Sequence, residues 1–206
     1  MKFRFAEFVL LLMLMSLFST EAFSQVRKKT QVRKTKGANI EKTSERKTDS
    51  KSRYGKLPTV ILINNEGLKE TIKPKGKPLL INFWATWCDV CREEFPDLVK
   101  IHKDYGTEID VAVISLDYPV EINRDVPRFL AKVNAQMPAY LLKSEDETAA
   151  ANLVSEKWQG GLPFTILFDS DGKEIYSYQG RFNTAVLRKK IEELISLKSQ
   201  QPVKSQ

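Results

Sequence analysis

The sequence predicts an α/β fold in which a central mixed β-sheet is flanked by helices on both faces. Two observations support this prediction. Short apolar runs typical of buried strands alternate with segments whose apolar residues recur at helical spacing. The last part of the chain instead predicts a β-hairpin followed by one long helix. This order of elements is typical of a mixed sheet packed between layers of helices.

The first half of the folded part predicts strands separated by a loop and a helix. Apolar and β-branched runs predict three strands, at residues 59–63, 79–84 and 109–116. The polar residues 64–67 predict a turn that ends the first strand, and the Lys- and Pro-rich residues 73–78 predict a loop. Helix formers with apolar residues at helical spacing predict a helix over 92–105.

The second half predicts three helices and three strands. The helices are expected at residues 124–134, 147–158 and 184–197, and the first and last of these have apolar residues on one stripe. A short strand is expected at 139–142. Residues 164–168 and 174–178 predict a hairpin around the turn sequence Asp-Ser-Asp-Gly.

The chain has only two cysteines, Cys88 and Cys91, and they lie between a predicted strand and a predicted helix. One helical turn lets the two sulfurs close into a small ring, and the positive end of the helix favours the thiolate of the first. A Cys-x-x-Cys in this place is what thiol-disulfide exchange needs. A purely structural disulfide here would stabilise little, because the loop it closes is very short. A zinc site lacks ligands, since His102 is the only histidine.

Residues 1–24 predict a secretory signal peptide. Lys2 and Arg4 precede an apolar stretch at residues 8–18, and Ala22 and Ser24 supply a small-x-small cleavage pattern. We expect cleavage after Ser24 and export to the periplasm or another extracytoplasmic compartment, where a cysteine pair can hold a disulfide. The alternative is an uncleaved anchor, although the apolar stretch is well short of the ~20 residues that span a bilayer.

Residues 25–56 are strongly basic, with twelve Lys or Arg, three acidic residues and hence a charge of +9, whereas the whole chain carries +7. Few apolar residues accompany this charge, which predicts a disordered linker. Export and the lack of interleaved aromatics argue against a nucleic-acid partner, while weak contact with an anionic membrane surface stays open. Residues 57–200 suffice for one domain with its own core, and 201–206 form a short tail.

Three stretches resemble a known family. They read LINFWATWC at residues 80–88, CREEFPDL at 91–98 and GLPFTILFD at 161–169. Together with the order of elements, they resemble the thioredoxin superfamily, and within it the exported TlpA/ResA-like thiol-disulfide oxidoreductases. The resemblance implies a thioredoxin-like fold over nearly all of residues 57–197. The sequence departs from the family at Val90, where proline is common.

The resemblance implies roles for individual residues. Cys88 matches the exposed nucleophile, whose thiolate attacks a partner disulfide to give a mixed disulfide that Cys91 then resolves. Pro163 matches the cis-proline that faces the dithiol, where the Leu162–Pro163 peptide would offer a strand-like edge to a bound substrate chain. Trp87, directly before Cys88, is expected to share this substrate surface.

Glu94 lies one helical turn after Cys91 and on the same side of the helix. It matches a glutamate that tunes the active-site thiols in the resembling proteins. Asn82 stands where cytosolic thioredoxins carry a buried aspartate, so Glu94 is the expected substitute. A partly buried carboxyl with a raised pKa could relay a proton to or from Cys91. The alternative is that Glu94 is a charge on the helix surface.

These features predict an exported thiol-disulfide oxidoreductase that reduces protein disulfides. Asp89 disfavours a second anion beside Cys88, and Arg92 is expected to point into solvent, which together predict a reducing potential. We expect protein thiols and disulfides as substrates, a membrane-bound electron donor, no cofactor, no metal and a monomer. The resemblance also suggests a role in cytochrome c maturation.

Three other functions were weighed against this prediction. A copper-handling chaperone of related fold tends to use Cys-x-x-x-Cys and a distant histidine, and a peroxidase uses an isolated cysteine behind threonine and proline. A substrate-binding module could keep the cysteine pair without turnover. The sequence alone leaves this last alternative and the copper chaperone open.

Overall fold

A six-stranded mixed sheet forms the centre of the computed structural model, which describes residues 56–199. The strands are β1 Val60–Ile63, β2 Leu79–Trp84, β3 Asp110–Ser115, β4 Ala139–Leu142, β5 Phe164–Phe168 and β6 Glu174–Gln179. They lie in the order β1-β4-β3-β2-β5-β6. The first four in this order are parallel, while β5 and β6 are antiparallel to their neighbours, so the predicted mixed sheet is confirmed.

Within residues 56–199, five α-helices and one 3₁₀-helix accompany the sheet. They are α1 Asn65–Thr71, α2 Asp89–Tyr105, α3 Asp125–Lys132, α4 Glu147–Val154, α5 Thr184–Ser199 and the 3₁₀-helix Pro119–Asn123. The signal peptide predicted at 1–24, nearly all of the basic linker predicted at 25–56 and the tail at 201–206 lie outside the described residues.

Two predictions of local structure are wrong. Residues 64–67 do not end β1 in a turn: Asn64 caps α1, and its side chain accepts a hydrogen bond of 3.0 Å from Gly67 N. Asparagine suits turns and helix N-caps alike, and the burial of Leu68 favours the helix. Helix α4 ends at Val154 instead of Trp158, whose indole Nε1 donates to the Gly161 carbonyl at 2.9 Å.

The side chains of β2 alternate between two apolar cores, one on each face of the sheet. Leu80 and Trp84 join the core that contains buried residues of α2, α3 and α5. Ile81 and Phe83 join the core that contains buried residues of α1 and α4. Asn82 is the one polar side chain of β2 and is 1% exposed, so its polar atoms need partners within the protein.

The direction of the strands brings the candidate site together at one edge of the sheet. The carboxyl ends of β2, β3 and β4 meet there because these strands are parallel. Strand β5 runs antiparallel to β2, with Phe164 opposite Phe83, so its amino end reaches the same edge. The loop after Trp84 and the residues before Phe164 therefore face each other.

Candidate active site

Cys88 and Cys91 form a disulfide at the N-terminus of α2, with their Cα atoms 5.3 Å apart. Cys88 is the N-cap residue, and its Sγ accepts a hydrogen bond of 3.2 Å from Cys91 N. Cys88 is 9% exposed and Cys91 is fully buried. The order of exposure is the predicted one, but Cys88 is less exposed than expected, since its sulfur is bonded to the sulfur of the buried Cys91 and accepts the Cys91 N–H.

The residues predicted to bind substrate lie at the same edge of the sheet. The Leu162–Pro163 peptide bond is cis, as the resemblance implies. Pro163 is buried, Leu162 is half-buried, and the Pro163 carbonyl accepts a hydrogen bond of 2.8 Å from Gly180 N. The Trp87 side chain is exposed at 62%, the most exposed tryptophan of the described chain. The part these residues play toward a substrate stays a prediction.

Glu94 lies beneath the disulfide, one turn along α2, and is only 1% exposed. Its Oε1 accepts a hydrogen bond of 2.9 Å from Asn82 Nδ2, and its Oε2 accepts one of 3.2 Å from Phe182 N. Burial raises the pKa of Glu94 to about 7, because desolvation outweighs the stabilisation that these two donors give the carboxylate. The structure thus excludes the alternative of a surface charge, and both protonation states are accessible near neutral pH.

Asn82 connects Glu94 to the strand that follows the cis-proline. Its Nδ2 also donates to Thr165 Oγ1 at 3.0 Å, and Thr165 lies directly opposite Asn82 in the pairing of β2 with β5. Both Asn82 and Thr165 are buried. The Asn82 amide therefore holds the Glu94 carboxyl at a defined place between the two strands and α2.

The expectation that Arg92 points freely into solvent is wrong in part. Arg92 is exposed, but its Nη2 pairs with the Asp89 carboxylate and its Nη1 donates to the Thr86 carbonyl at 2.8 Å. The charge of Asp89 is thus partly compensated next to Cys88. The prediction of a reducing potential, which combined the charge of Asp89 with a solvent-directed Arg92, loses much of its basis.

Residues 55–195 match the Redoxin family. The chain belongs to this family. Among similar redoxins, the thiol-disulfide oxidoreductase ResA of Bacillus thuringiensis subsp. konkukian is 30% identical over 134 residues, which are 64% of this chain and 73% of that protein. The thioredoxin-like protein YneN of Bacillus subtilis is 28% identical over 137 residues, 66% of this chain and 76% of that protein. These matches place this redoxin with the ResA-like thiol-disulfide oxidoreductases.

The fold of this redoxin also matches solved structures. The crystal structure of a thiol:disulfide interchange protein of the thioredoxin family from Chlorobium tepidum superimposes with a TM-score of 0.50. It is 21% identical, and the match covers 64% of this chain and 84% of that one. The predicted thioredoxin-like fold is confirmed.

Asp117 is a buried acid of this redoxin, 3% exposed, that was not predicted from the sequence. It follows β3 by two residues, at the edge where the disulfide lies, and it contacts Thr86 and Ser115. The available signal was an acid directly after a buried parallel strand, where polar side chains of α/β folds gather around a site. The prediction stopped one residue short, at Leu116.

Two further observations concern metals and membranes. Within residues 56–199, no three His, Cys, Asp or Glu side chains come close enough together to hold a metal ion. No helix in the same range is both long and apolar enough to cross a bilayer.

Proposed function

We propose that this redoxin is an exported reductase of protein disulfides, with Cys88 as nucleophile, Cys91 as resolving thiol and Glu94 as proton relay. One observation carries the proposal: the buried Glu94 carboxyl lies one turn beneath a Cys-x-x-Cys that caps a helix N-terminus. The helix end favours the Cys88 thiolate, and the carboxyl offers the neighbouring Cys91 a proton acceptor.

The reaction begins with the dithiol form. The Cys88 thiolate attacks one sulfur of a substrate disulfide, the substrate S–S bond breaks, and the first substrate thiolate leaves. Cys91 then gives its proton to the Glu94 carboxylate and attacks the Cys88 sulfur. The intramolecular disulfide forms, the second substrate thiolate leaves, and two electrons have passed from the dithiol to the substrate. A pKa of about 7 lets Glu94 accept this proton near neutral pH and release it afterwards.

The cycle closes when a membrane-bound electron donor reduces the Cys88–Cys91 disulfide. Export rests on the signal-peptide pattern of residues 1–24, and the basic residues 25–56 then serve as a linker that keeps the domain near an anionic membrane surface. Residues 57–200 form the catalytic domain, which acts as a monomer. Trp87, Leu162 and Pro163 form the surface that receives the substrate chain, and apocytochromes c are a candidate substrate class.

Trapping of mixed disulfides tests the proposal. A Cys91→Ser variant cannot resolve the intermediate, so it should accumulate covalent adducts through Cys88 that run as higher bands on non-reducing gels. The Cys88→Ser variant is the matched control and should trap little. Reduction of insulin by the parent protein with a supplied dithiol donor then separates turnover from binding. Trapping by Cys91→Ser together with a parent protein that never reduces insulin would contradict a reductase.

A further inference from the structure

Asp117 is a buried carboxylate that the proposed chemistry does not use. It lies just beyond the end of β3, at the same sheet edge as the disulfide, and is 3% exposed. Burying a carboxylate is costly unless hydrogen bonds compensate it. The donors that contact the Asp117 carboxylate therefore indicate which part of the structure it stabilises.

Three donors meet the Asp117 carboxylate, and two of them belong to one residue. Thr86 N donates to Oδ2 at 2.9 Å, and the Thr86 hydroxyl donates to Oδ1. The third donor is the Ser115 hydroxyl, at 2.6 Å from Oδ2. Asp117 N in turn donates to Ser115 Oγ at 3.0 Å, which fixes the backbone of Asp117 itself. The carboxylate thus joins the end of β3 to the loop that precedes Cys88.

Thr86 is held from a second side as well. Its carbonyl accepts a hydrogen bond of 2.8 Å from Arg92 Nη1, which comes from the first turns of α2. All three polar groups of Thr86 are therefore engaged, two by Asp117 and one by Arg92. Cys88 follows two residues later, and its N donates to the Ala85 carbonyl at 3.2 Å. The bonds of Thr86 to Asp117 and Arg92 form a clamp on the segment from Ala85 to Cys88, which also has its own hydrogen bond between these two residues.

The Cys88 sulfur lies at the N-terminus of α2, directly after the clamped segment. Cys88 takes the extended backbone of an N-cap residue, with φ −89° and ψ 104°, and its Sγ lies 3.2 Å from Cys91 N. A thiolate in that place is stabilised by the exposed N–H groups of the helix. We propose that Asp117 is a positioning residue that holds Thr86, and through it Cys88, so that the Cys88 sulfur caps α2. The inference rests on the proposed role of Cys88 as the nucleophile.

The charge of Asp117 and the clamp have opposite effects on the reactivity of Cys88, so the direction of the change in a variant distinguishes them. A negative charge near Cys88 disfavours the thiolate, so removing it would speed the reaction of the thiol. Loss of the clamp would instead move the sulfur off the helix end and slow the reaction. Asp117→Asn removes both the charge and part of the clamp, whereas Thr86→Val removes a clamp hydrogen bond and leaves the charge in place.

The experiment measures alkylation of the reduced full-length protein by iodoacetamide, a neutral reagent, as a function of pH, with the labelled cysteine mapped by mass spectrometry. Asp117→Asn and Thr86→Val should both lower the rate at Cys88 near neutral pH, by about fivefold if an N-cap interaction is lost. Both should also move the midpoint of the pH profile upward. Ser115→Ala, which leaves both Thr86 bonds intact, should change the rate less than either.

Two results would overturn the role of Asp117. A faster reaction in Asp117→Asn would show that its charge acts directly, and rates equal to the parent in both variants would show that the clamp does not position the sulfur. Thr86→Val keeps the test valid if Asp117→Asn fails to fold. Labelling of the parent protein mainly at Cys91 would instead contradict the proposed function, and it is read from the parent alone.

Discussion

Two buried carboxyl side chains lie near the same cysteine pair, one a helical turn after Cys91 and the other bonded to the loop before Cys88, and their surroundings differ. Glu94, beneath Cys91, meets one side-chain donor at 2.9 Å and one backbone donor at 3.2 Å. Asp117, beside the loop that precedes Cys88, meets three donors: Thr86 N at 2.9 Å, the Thr86 hydroxyl, and the Ser115 hydroxyl at 2.6 Å. Both side chains are at most 3% exposed. The two side chains are therefore buried to a similar depth, but they differ in the number of hydrogen-bond donors that contact the carboxyl group, two for Glu94 and three for Asp117.

The difference in hydrogen-bond donors suggests different roles for Glu94 and Asp117. A buried carboxyl with few donors is poorly compensated as an anion, so it exchanges its proton near neutral pH, as the raised pKa of Glu94 indicates. A carboxylate that several donors satisfy is suited to hold its neighbours in place. Glu94 thus fits a proton relay for Cys91, and Asp117 fits an anchor for the loop that carries Cys88.

Replacing each carboxyl by its amide should change the stability of the oxidised protein in different ways: Glu94→Gln should change how stability depends on pH, and Asp117→Asn should lower stability near neutral pH. The folded pKa of Glu94 lies near 7, above its usual 4.5, so the parent loses stability as pH rises between these values. Glu94→Gln lacks this loss. From acid to slightly alkaline pH, its unfolding free energy should gain about 3 kcal/mol relative to the parent.

Asp117→Asn should instead cost about 1–3 kcal/mol near neutral pH, because at least one buried donor loses its acceptor. Urea unfolding at several pH values measures both variants against the parent. A stability of Glu94→Gln that depends on pH as the parent's does, or an Asp117→Asn variant as stable as the parent, would contradict the proposed difference between the two carboxyls.

A substitution of Thr165 should have a smaller effect on stability, and it tests whether Thr165 holds the Asn82 amide that donates to Glu94. Its hydroxyl accepts from the same Asn82 Nδ2 that donates to Glu94. Thr165→Val should cost about 1 kcal/mol, the usual worth of such a hydrogen bond, while Thr165→Ser should restore most of it. Chemical denaturation at neutral pH gives both values. If Ser and Val prove equally destabilising, the loss reflects packing and the hydroxyl does not hold Asn82.

Deleting residues 25–56 should have the smallest effect. The segment is too polar to add to a core, so the melting temperature of the remaining domain and the alkylation rate of Cys88 should stay unchanged. Differential scanning calorimetry of the shortened protein checks this. A drop of several degrees would mean that the basic segment docks on the domain and that the site is not set by residues 57–200 alone.

The sequence predicted one of the two carboxylates and missed the other, for a physical reason. Glu94 stands at a fixed helical spacing from Cys91 and in a stretch with a strong family resemblance, so local pattern suffices. Asp117 is 31 residues from Thr86 in the sequence, and it contacts Thr86 in the loop before Cys88 because parallel pairing aligns the ends of β2 and β3. Such a long-range contact leaves no local periodicity.

Helices and strands were predicted well where the pattern of apolar residues fits only one type of secondary structure. The continuous apolar run of β2 and the amphipathic α2 are of this kind. The errors fall where a residue suits two structures. Asn64 serves turns and N-caps equally, and the burial of Leu68 that decides between them is a tertiary contact. For Arg92, helical spacing accounts for the ion pair with Asp89. The hydrogen bond from Arg92 to the Thr86 carbonyl depends instead on the path of the loop before α2, which a local pattern does not give.

The most direct test of the two-carboxylate account is a carboxyl titration by NMR. In the oxidised protein, labelled with ¹³C at the glutamate side-chain carboxyls, the resonance absent from Glu94→Gln identifies Glu94. The account predicts that this resonance titrates with a midpoint of about 7. A midpoint at the usual 4.5 would contradict it, because Glu94 would then be a fixed anion like any surface glutamate and could not relay a proton for Cys91.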